Sequence, residues 1–159
     1  ALRGENSLAE AAGLDVAVCL MHMQGVPATM QDDPRYENVV DEVVAFLEER
    51  VRACEEAGLG RDRIVIDPGF GFGKTVQHNV RLLANLEALQ VLRLPILVGL
   101  SRKGMLGTLT GRSVGDRLAG GLAAAVLAVA RGAHIVRTHD VGPTVDALKI
   151  AAAVTPHGA

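Results

Sequence analysis

The run Arg63-Ile64-Val65-Ile66-Asp67 leads without a break into Pro68-Gly69-Phe70-Gly71-Phe72-Gly73-Lys74. Its first five residues form a short, nearly continuous apolar stretch ending on a carboxylate, the pattern of a parallel strand covered on both faces. The next seven place glycine at alternate positions, which lets the backbone approach a ligand closely at an entropic cost that a plain turn would not need. A strand that delivers a carboxylate and a glycine loop at its C-terminal end belongs in an α/β sheet. Three further runs have the same strand character: Val16–His22, Pro95–Gly99 and His134–Arg137.

Helical patterns fill the spaces between them. Residues 37–57 place Val40, Val43, Val44, Leu47, Val51 and Cys54 on one stripe. Glu37 lies early, Arg50 and Arg52 late, and Gly58 is the expected stop. Residues 77–90 carry Val80, Leu83, Leu86 and Leu89, residues 116–131 form a helix of small residues ended by Gly132, and a last helix is expected from Pro143 to Ala153. Strand and helix in alternation give βα units and a parallel sheet.

The polar residues choose between a doubly wound sheet and a barrel. They gather just after each strand: His22 and Gln24, then Asp67 to Lys74, then Ser101-Arg102-Lys103, then Arg137-Thr138-His139-Asp140. Barrel enzymes put their chemistry at these strand ends, and phosphate often sits after strands seven and eight. A full barrel takes about 250 residues. The 159 residues therefore predict one α/β domain over 1–159, about four βα units forming the C-terminal half of a TIM (β/α)8 barrel. The chain opens on Ala1 in a short helix-like piece, Ser7 to Gly13, as if in the middle of something larger.

Composition narrows the partners. A net charge of -2 argues against broad electrostatic binding to nucleic acid or an anionic membrane, and apolar runs such as Leu122 to Ala130 are too short to span a bilayer. No basic-then-apolar leader is present, and Cys19 and Cys54 lack metal or CxxC spacing. The expectation is two reduced core cysteines in a cytoplasmic protein.

The glycine loop is neither of two familiar phosphate motifs. A P-loop needs glycine where Pro68 stands, and the dinucleotide fingerprint needs a different spacing. Asp67, at the strand end, can accept two parallel hydrogen bonds from an amidine-like edge such as that of a pyrimidine-type ring, or pair with a Lys or Arg. Arg102, Lys103, Arg137 and His139 suit phosphate, with ion pairing the plainer role for Arg102. His22 could be a ligand, a base or a packed core residue, and Met21 is apolar wall. No His/Cys/Glu set has zinc spacing.

The chain resembles the C-terminal part of dihydropteroate synthases. The matching segments are Cys19-Leu-Met-His-Met-Gln-Gly25 with Met30-Gln31, the Asp67–Lys74 loop with Asn79 and Leu82-Leu83, Pro95 to Lys103, Arg131 to Ile135, and Arg137 to Val141. The resemblance implies a transferase of folate biosynthesis, a sulfonamide target. It would condense 6-hydroxymethyl-7,8-dihydropterin diphosphate with 4-aminobenzoate to give 7,8-dihydropteroate and diphosphate. It implies Asp67 as pterin acceptor with Met21, Gly71 and Phe72 lining the slot. Lys103 would touch the pterin and shape the aminobenzoate site beside Ser101 and Arg102, and Arg137, Thr138 and His139 would hold the diphosphate. Lys103, Arg137 and His139 are the implied catalytic groups. The family also implies Mg2+ bound with the diphosphate, its ligand outside this sequence, and a homodimeric parent. The family's further pterin-binding acid and amide groups lie in the first half of the barrel, which this sequence lacks.

Two other readings compete. Methyltetrahydrofolate-binding methyltransferase domains share the barrel and the strand-end Asp but have no use for Arg137 and His139 placed for a diphosphate. A non-catalytic half-barrel would associate through its open edges and apolar inner face. The 159 residues alone are expected to have no measurable synthase activity, and steady turnover by the purified chain would refute this.

Overall fold

The structure, a computed structural model, describes residues 6–14 and 16–154. Its elements run α1 (Ser7–Gly13), β1 (Val18–Met21), α2 (Val39–Glu56), β2 (Ile64–Asp67), α3 (Val76–Ala84), β3 (Leu97–Val98), α4 (Gly104–Thr110), α5 (Leu118–Ala130), β4 (Ile135–Val136) and α6 (Val141–Val154). Short 3-10 turns lie at Arg61–Arg63, Leu86–Leu92 and Val114–Asp116. Each expected strand forms at its place and is shorter than its apolar run, because ladder pairing covers only part of each.

All pairings are parallel and follow chain order. β1 pairs with β2, setting Met21 beside Asp67, and β3 pairs with β4 through Leu97 and Ile135. A single bridge between Ile66 and Ile96 links the two pairs. Leu20, Ile64, Ile66, Ile96 and Val98 point to one face and are buried against residues of α2 to α5. On the other face Cys19 and Ile135 are exposed and Val65 and Leu97 half-buried. Two expectations are corrected here. The strands are covered by helices on one face, and Cys19 is not a core residue, because it stands on the uncovered side. Cys54, on the helix side, is buried as expected.

The α2 helix begins at Asn38, whose side chain accepts from the Val40 N–H, while the Glu42 carboxylate accepts from the N–H groups of Glu37 and Asn38. Its stripe of Val39, Val40, Val43, Leu47, Val51 and Cys54 is buried. Arg50 and Arg52 do not supply the last turn. That turn carries Glu55 and Glu56, and the cation comes from beyond the helix, with Arg61 3.1 Å from Glu55. Gly58, at φ 88°, ends the helix.

The expected helix over 77–90 divides. α3 starts at a reciprocal cap between Thr75 and His78 and stops at Asn85, whose amide donates to the Arg81 carbonyl. A 3-10 turn then carries the chain to Arg93, which is left-handed at φ 51°. Leu83, Leu86, Leu89 and Leu92 recur every third residue, a spacing that suits the three-residue turn of a 3-10 helix as well as an α-helix face. The sequence pattern therefore left α3 and the 3-10 turn undivided. The α4 helix was not foreseen, since Gly104-Met-Leu-Gly-Thr-Leu-Thr110 is too short to show a period.

Leu47 is fully buried midway along α2. Leu47→Ala is expected to destabilise the chain by about 2–5 kcal/mol, read from urea denaturation midpoints.

Candidate active site

The loop after β2 is held by close approach and by polar groups beneath it. The Asp67 carbonyl accepts the His22 N–H at 2.9 Å, which continues the β1–β2 ladder to the strand end. Gly69 then passes so near β1 that a Cβ would lie 1.9 Å from the His22 carbonyl oxygen. At Gly73 a Cβ would lie 2.5 Å from the Gln24 carbonyl oxygen. Both have positive φ, so glycine is required twice over, by conformation and by space.

Four side chains that the sequence did not single out for this role fasten the loop. Gln31 donates to the Gly71 carbonyl at 2.6 Å and accepts from the Lys74 N–H at 3.3 Å. The Tyr36 hydroxyl donates to the Gly73 carbonyl at 2.7 Å. Asn79, buried on α3, accepts from the Gly71 N–H at 2.8 Å and donates to the Lys74 and Thr75 carbonyls. Lys74 turns inward, 3% exposed, and its ammonium lies 3.0 Å from the Gly69 carbonyl, 3.2 Å from the Phe72 carbonyl and 2.8 Å from His22 Nδ1. Asn79 carried a legible signal, a polar residue on the leucine face of its helix. Gln31 and Tyr36 carried none, since they reach the loop only through the tertiary fold, and nothing in the sequence shows that Lys74, at the loop's own end, turns inward.

His22 is therefore a packed residue. It is buried, with its ring edge-on to Phe46 at 4.8 Å and tilted against Tyr36 at 6.1 Å.

Asp67 is 2% exposed. Its Oδ1 accepts from the Gly69 N–H at 2.7 Å, and its Oδ2 lies 3.7 Å from Arg137 Nη2. Burial pushes the carboxyl above its ordinary range, while the Gly69 N–H and the charges of Arg137, Lys103 and Lys74 pull the other way. Lys103 stands at the same mouth, with its ammonium 4.3 Å from the centre of the Phe72 ring and its stem against Gly71. Burial and the nearby Arg137 push the Lys103 ammonium below its ordinary value, against the pull of Asp67. Arg137 is the open member, its side chain 61% exposed. It lies across bare backbone at Gly99, where a Cβ would sit 2.9 Å from Nη2. Gly99, which no sequence pattern marks, clears the path of this guanidinium. Lys103 and Arg137 thus put two cations beside one carboxylate at the mouth, with Lys74 beneath the loop.

The loops after β3 and β4 are tied together. Ser101 Oγ lies 3.1 Å from His139 Nδ1 and accepts the His139 N–H at 3.3 Å. Arg102 grips Asp140 with Nη2 at 2.8 Å and Nε at 3.4 Å, an ion pair that holds the Asp140 carboxyl below the usual range. Of its two readings, the ion-pair role is the one the geometry shows. Thr138 faces α6: its hydroxyl accepts from the Asp140 N–H and lies 3.2 Å from that of Thr144. Arg117 passes over Gly107 of α4 and donates to the carbonyls of Arg102, Lys103 and Arg112. The fold thus brings Met21, Asp67, Gly71, Phe72, Lys103 and Arg137 to one mouth, with Ser101 and His139 on the adjoining loops.

Residues 3–139 match the model of the pterin binding enzyme family. A dihydropteroate synthase of Haemophilus influenzae is 49% identical over 150 residues, covering 94% of this chain and 54% of the relative. The crystal structure of dihydropteroate synthase from Stenotrophomonas maltophilia with active site-bound imidazole superposes with a TM-score of 0.95 at 52% identity, covering 99% of this chain and 60% of that one. The enzyme from Xanthomonas albilineans in complex with 7,8-dihydropteroate gives a TM-score of 0.88 at 49% identity, covering 97% of this chain and 57% of that one. The chain spans about half the length of the curated relatives it matches. With its strand-end carboxylate, glycine loop and paired basic loops in the family's order, the chain belongs to the pterin-binding enzymes.

Proposed function

We propose that these residues are the C-terminal half of a (β/α)8 barrel, a single partial pterin-binding domain over 1–159 of a dihydropteroate synthase. The parent would join 6-hydroxymethyl-7,8-dihydropterin diphosphate to 4-aminobenzoate, with release of diphosphate. The observation that carries this reading is the buried Asp67 carboxylate set among Lys103, Phe72 and Arg137. Sequential parallel strands covered by helices on one face support the half-barrel. Relatives solved with 7,8-dihydropteroate and with 4-aminobenzoic acid support the substrates.

Asp67 accepts hydrogen bonds from the amidine-like edge of the pterin ring, in the place where Arg137 now approaches its Oδ2. Met21, Gly71 and Phe72 form the walls, and Lys103 spans from the ring slot towards the aminobenzoate side beside Ser101. When the bond between the pterin methylene and diphosphate breaks, negative charge grows on the leaving oxygens. Arg137, displaced from Asp67 by the ring, and His139 meet that charge with N–H donors, the kind of effect that contributes most in such sites. The arylamine nitrogen then bonds to the electron-poor methylene carbon and gives up its proton to solvent, so no strong base is needed. Thr138 serves by shaping the start of α6, and Arg102 by its pair with Asp140. The resemblance implies Mg2+ bound with the diphosphate and places its protein ligand outside this sequence; among the described residues no group of three or more His, Cys, Asp or Glu could hold a metal ion. No helix among the described residues is long and apolar enough to cross a membrane.

Asp67→Asn is expected to act in opposite directions on stability and binding. The wild-type carboxyl binds its proton more tightly in the folded chain than in the unfolded one. Folded stability therefore falls as pH rises from the unfolded value of 3.8 through the raised folded value. The amide escapes this loss. Urea denaturation should show the variant at least as stable as wild type at neutral pH, with its advantage shrinking in acid. Calorimetry on the full-length parent should show pterin affinity lowered by about ten- to a hundredfold. Unchanged affinity would remove Asp67 from the site. Arg137→Ala should weaken the pterin diphosphate by about ten- to a hundredfold and spare a pterin lacking the diphosphate. Equal losses for both ligands would contradict the diphosphate role.

A further inference from the structure

Among the described residues Lys74 is a buried cation whose place in the chemistry is open, since it faces away from the mouth and beneath the loop. An ammonium has three hydrogens to donate and nothing to accept with. All three have acceptors: the Gly69 carbonyl at 3.0 Å, the Phe72 carbonyl at 3.2 Å and His22 Nδ1 at 2.8 Å. Two of these are backbone carbonyls that can only accept. The third is a contact in which either atom can donate; while Lys74 is charged, its ammonium has to be the donor, and an Nδ1 that accepts from it carries no hydrogen. His22 is then neutral, with its hydrogen on Nε2.

We propose that Lys74 is a positioning residue for the Gly69–Phe72 wall of the pterin slot, and that it works as one unit with His22, whose ring changes tautomer when Lys74 changes charge. The proposal rests on the pterin reading above for what the loop binds, though not for the proton arrangement. Its balance is simple. With Lys74 charged, the pair holds three hydrogens on Nζ and one on Nε2. On ionisation the shared hydrogen passes from Nζ to Nδ1 and the Nε2 hydrogen leaves to solvent. The neutral amine keeps two hydrogens for the two carbonyls, and its lone pair accepts from Nδ1–H. One proton is lost, and the contacts of Lys74 with the Gly69 and Phe72 carbonyls and with His22 Nδ1 survive. A second proton on the pair would set Nδ1–H against an ammonium N–H, with two positive charges in contact.

The surroundings place this exchange near neutrality. Burial lowers the Lys74 ammonium to about 7, with Asp67 of β2 opposing that shift and Lys103, after β3, adding to it. Arg137, from β4, reaches the same carboxylate. Tyr36, ahead of α2, faces His22 and stays a phenol, its ionisation pushed up to about 12 by burial and the charge of Glu42. His78 of α3 stacks edge-on against the far side of that ring. Phe46 of α2, which closes the other side of His22, does not titrate.

Nitrogen-15 spectra of the histidine rings in the labelled 159-residue chain test the arrangement without any variant or ligand. At about pH 6, His22 should show a bare Nδ1 and a protonated Nε2, and above about pH 8 the reverse. An Nδ1 that carries a proton throughout, or one tautomer across the whole range, would overturn the proposal. The positioning role is read from amide hydrogen exchange at Gly69, Gly71 and Phe72. Lys74→Met, which keeps the length and removes the donors, should speed it by about tenfold or more. His22→Asn, whose amide oxygen can accept near the place of Nδ1, should hold it within about threefold and abolish its change with pH. Unchanged exchange in Lys74→Met would overturn the positioning role. If the parent binds no pterin while tautomer and exchange behave as stated, the functional reading fails and the Lys74–His22 unit stands.

Discussion

A carboxylate at the end of a buried strand is the constraint around which this molecule is arranged. Asp67 keeps one backbone N–H partner and one distant guanidinium, and burial raises its proton affinity. Removing such a group from water is tolerable only where donors and positive charge surround it. The fold supplies them from three strand ends: Gly69 and Lys74 after β2, Lys103 after β3 and Arg137 from β4. Each lies at the C-terminal side of the sheet because parallel strands bring all such ends to one edge.

The glycine loop follows from the same constraint. The loop packs so close to β1 that it is made of bare backbone at Gly69 and Gly73, and bare backbone needs its polar groups satisfied from behind. Gln31 and Tyr36 do this from the connection after β1, Asn79 from α3, and Lys74 from the loop's own end. Through these bonds the loop's shape depends on α3 and on the connection after β1. On the basic side the division is similar. Arg102 and Thr138 look like binding residues in the sequence, yet they spend their hydrogen bonds on Asp140 and Thr144, and Arg117 holds the carbonyls of Arg102 and Lys103. These links keep Lys103, Ser101 and His139 in place.

The sequence by itself determined the βα order, the four strands, the apolar stripe of α2 and the gathering of Asp67, Lys103, Arg137 and His139 at strand ends. All of these are local patterns: apolar runs, helical periods, and glycine, proline or charge just past a strand. It could not separate α3 from the 3-10 turn, because leucine at every third residue serves both. Nor did it show that Cys19 and Ile135 stand on an uncovered face, because a continuous apolar run does not say which side has helices. The tertiary structure alone decided which polar residues serve the fold and which face the mouth. It turned Lys74 inward to His22, paired Arg102 with Asp140, and left Gly99 bare for Arg137. Those assignments depend on distances between residues far apart in the chain, and hydrogen-bond geometry at that range is set by packing.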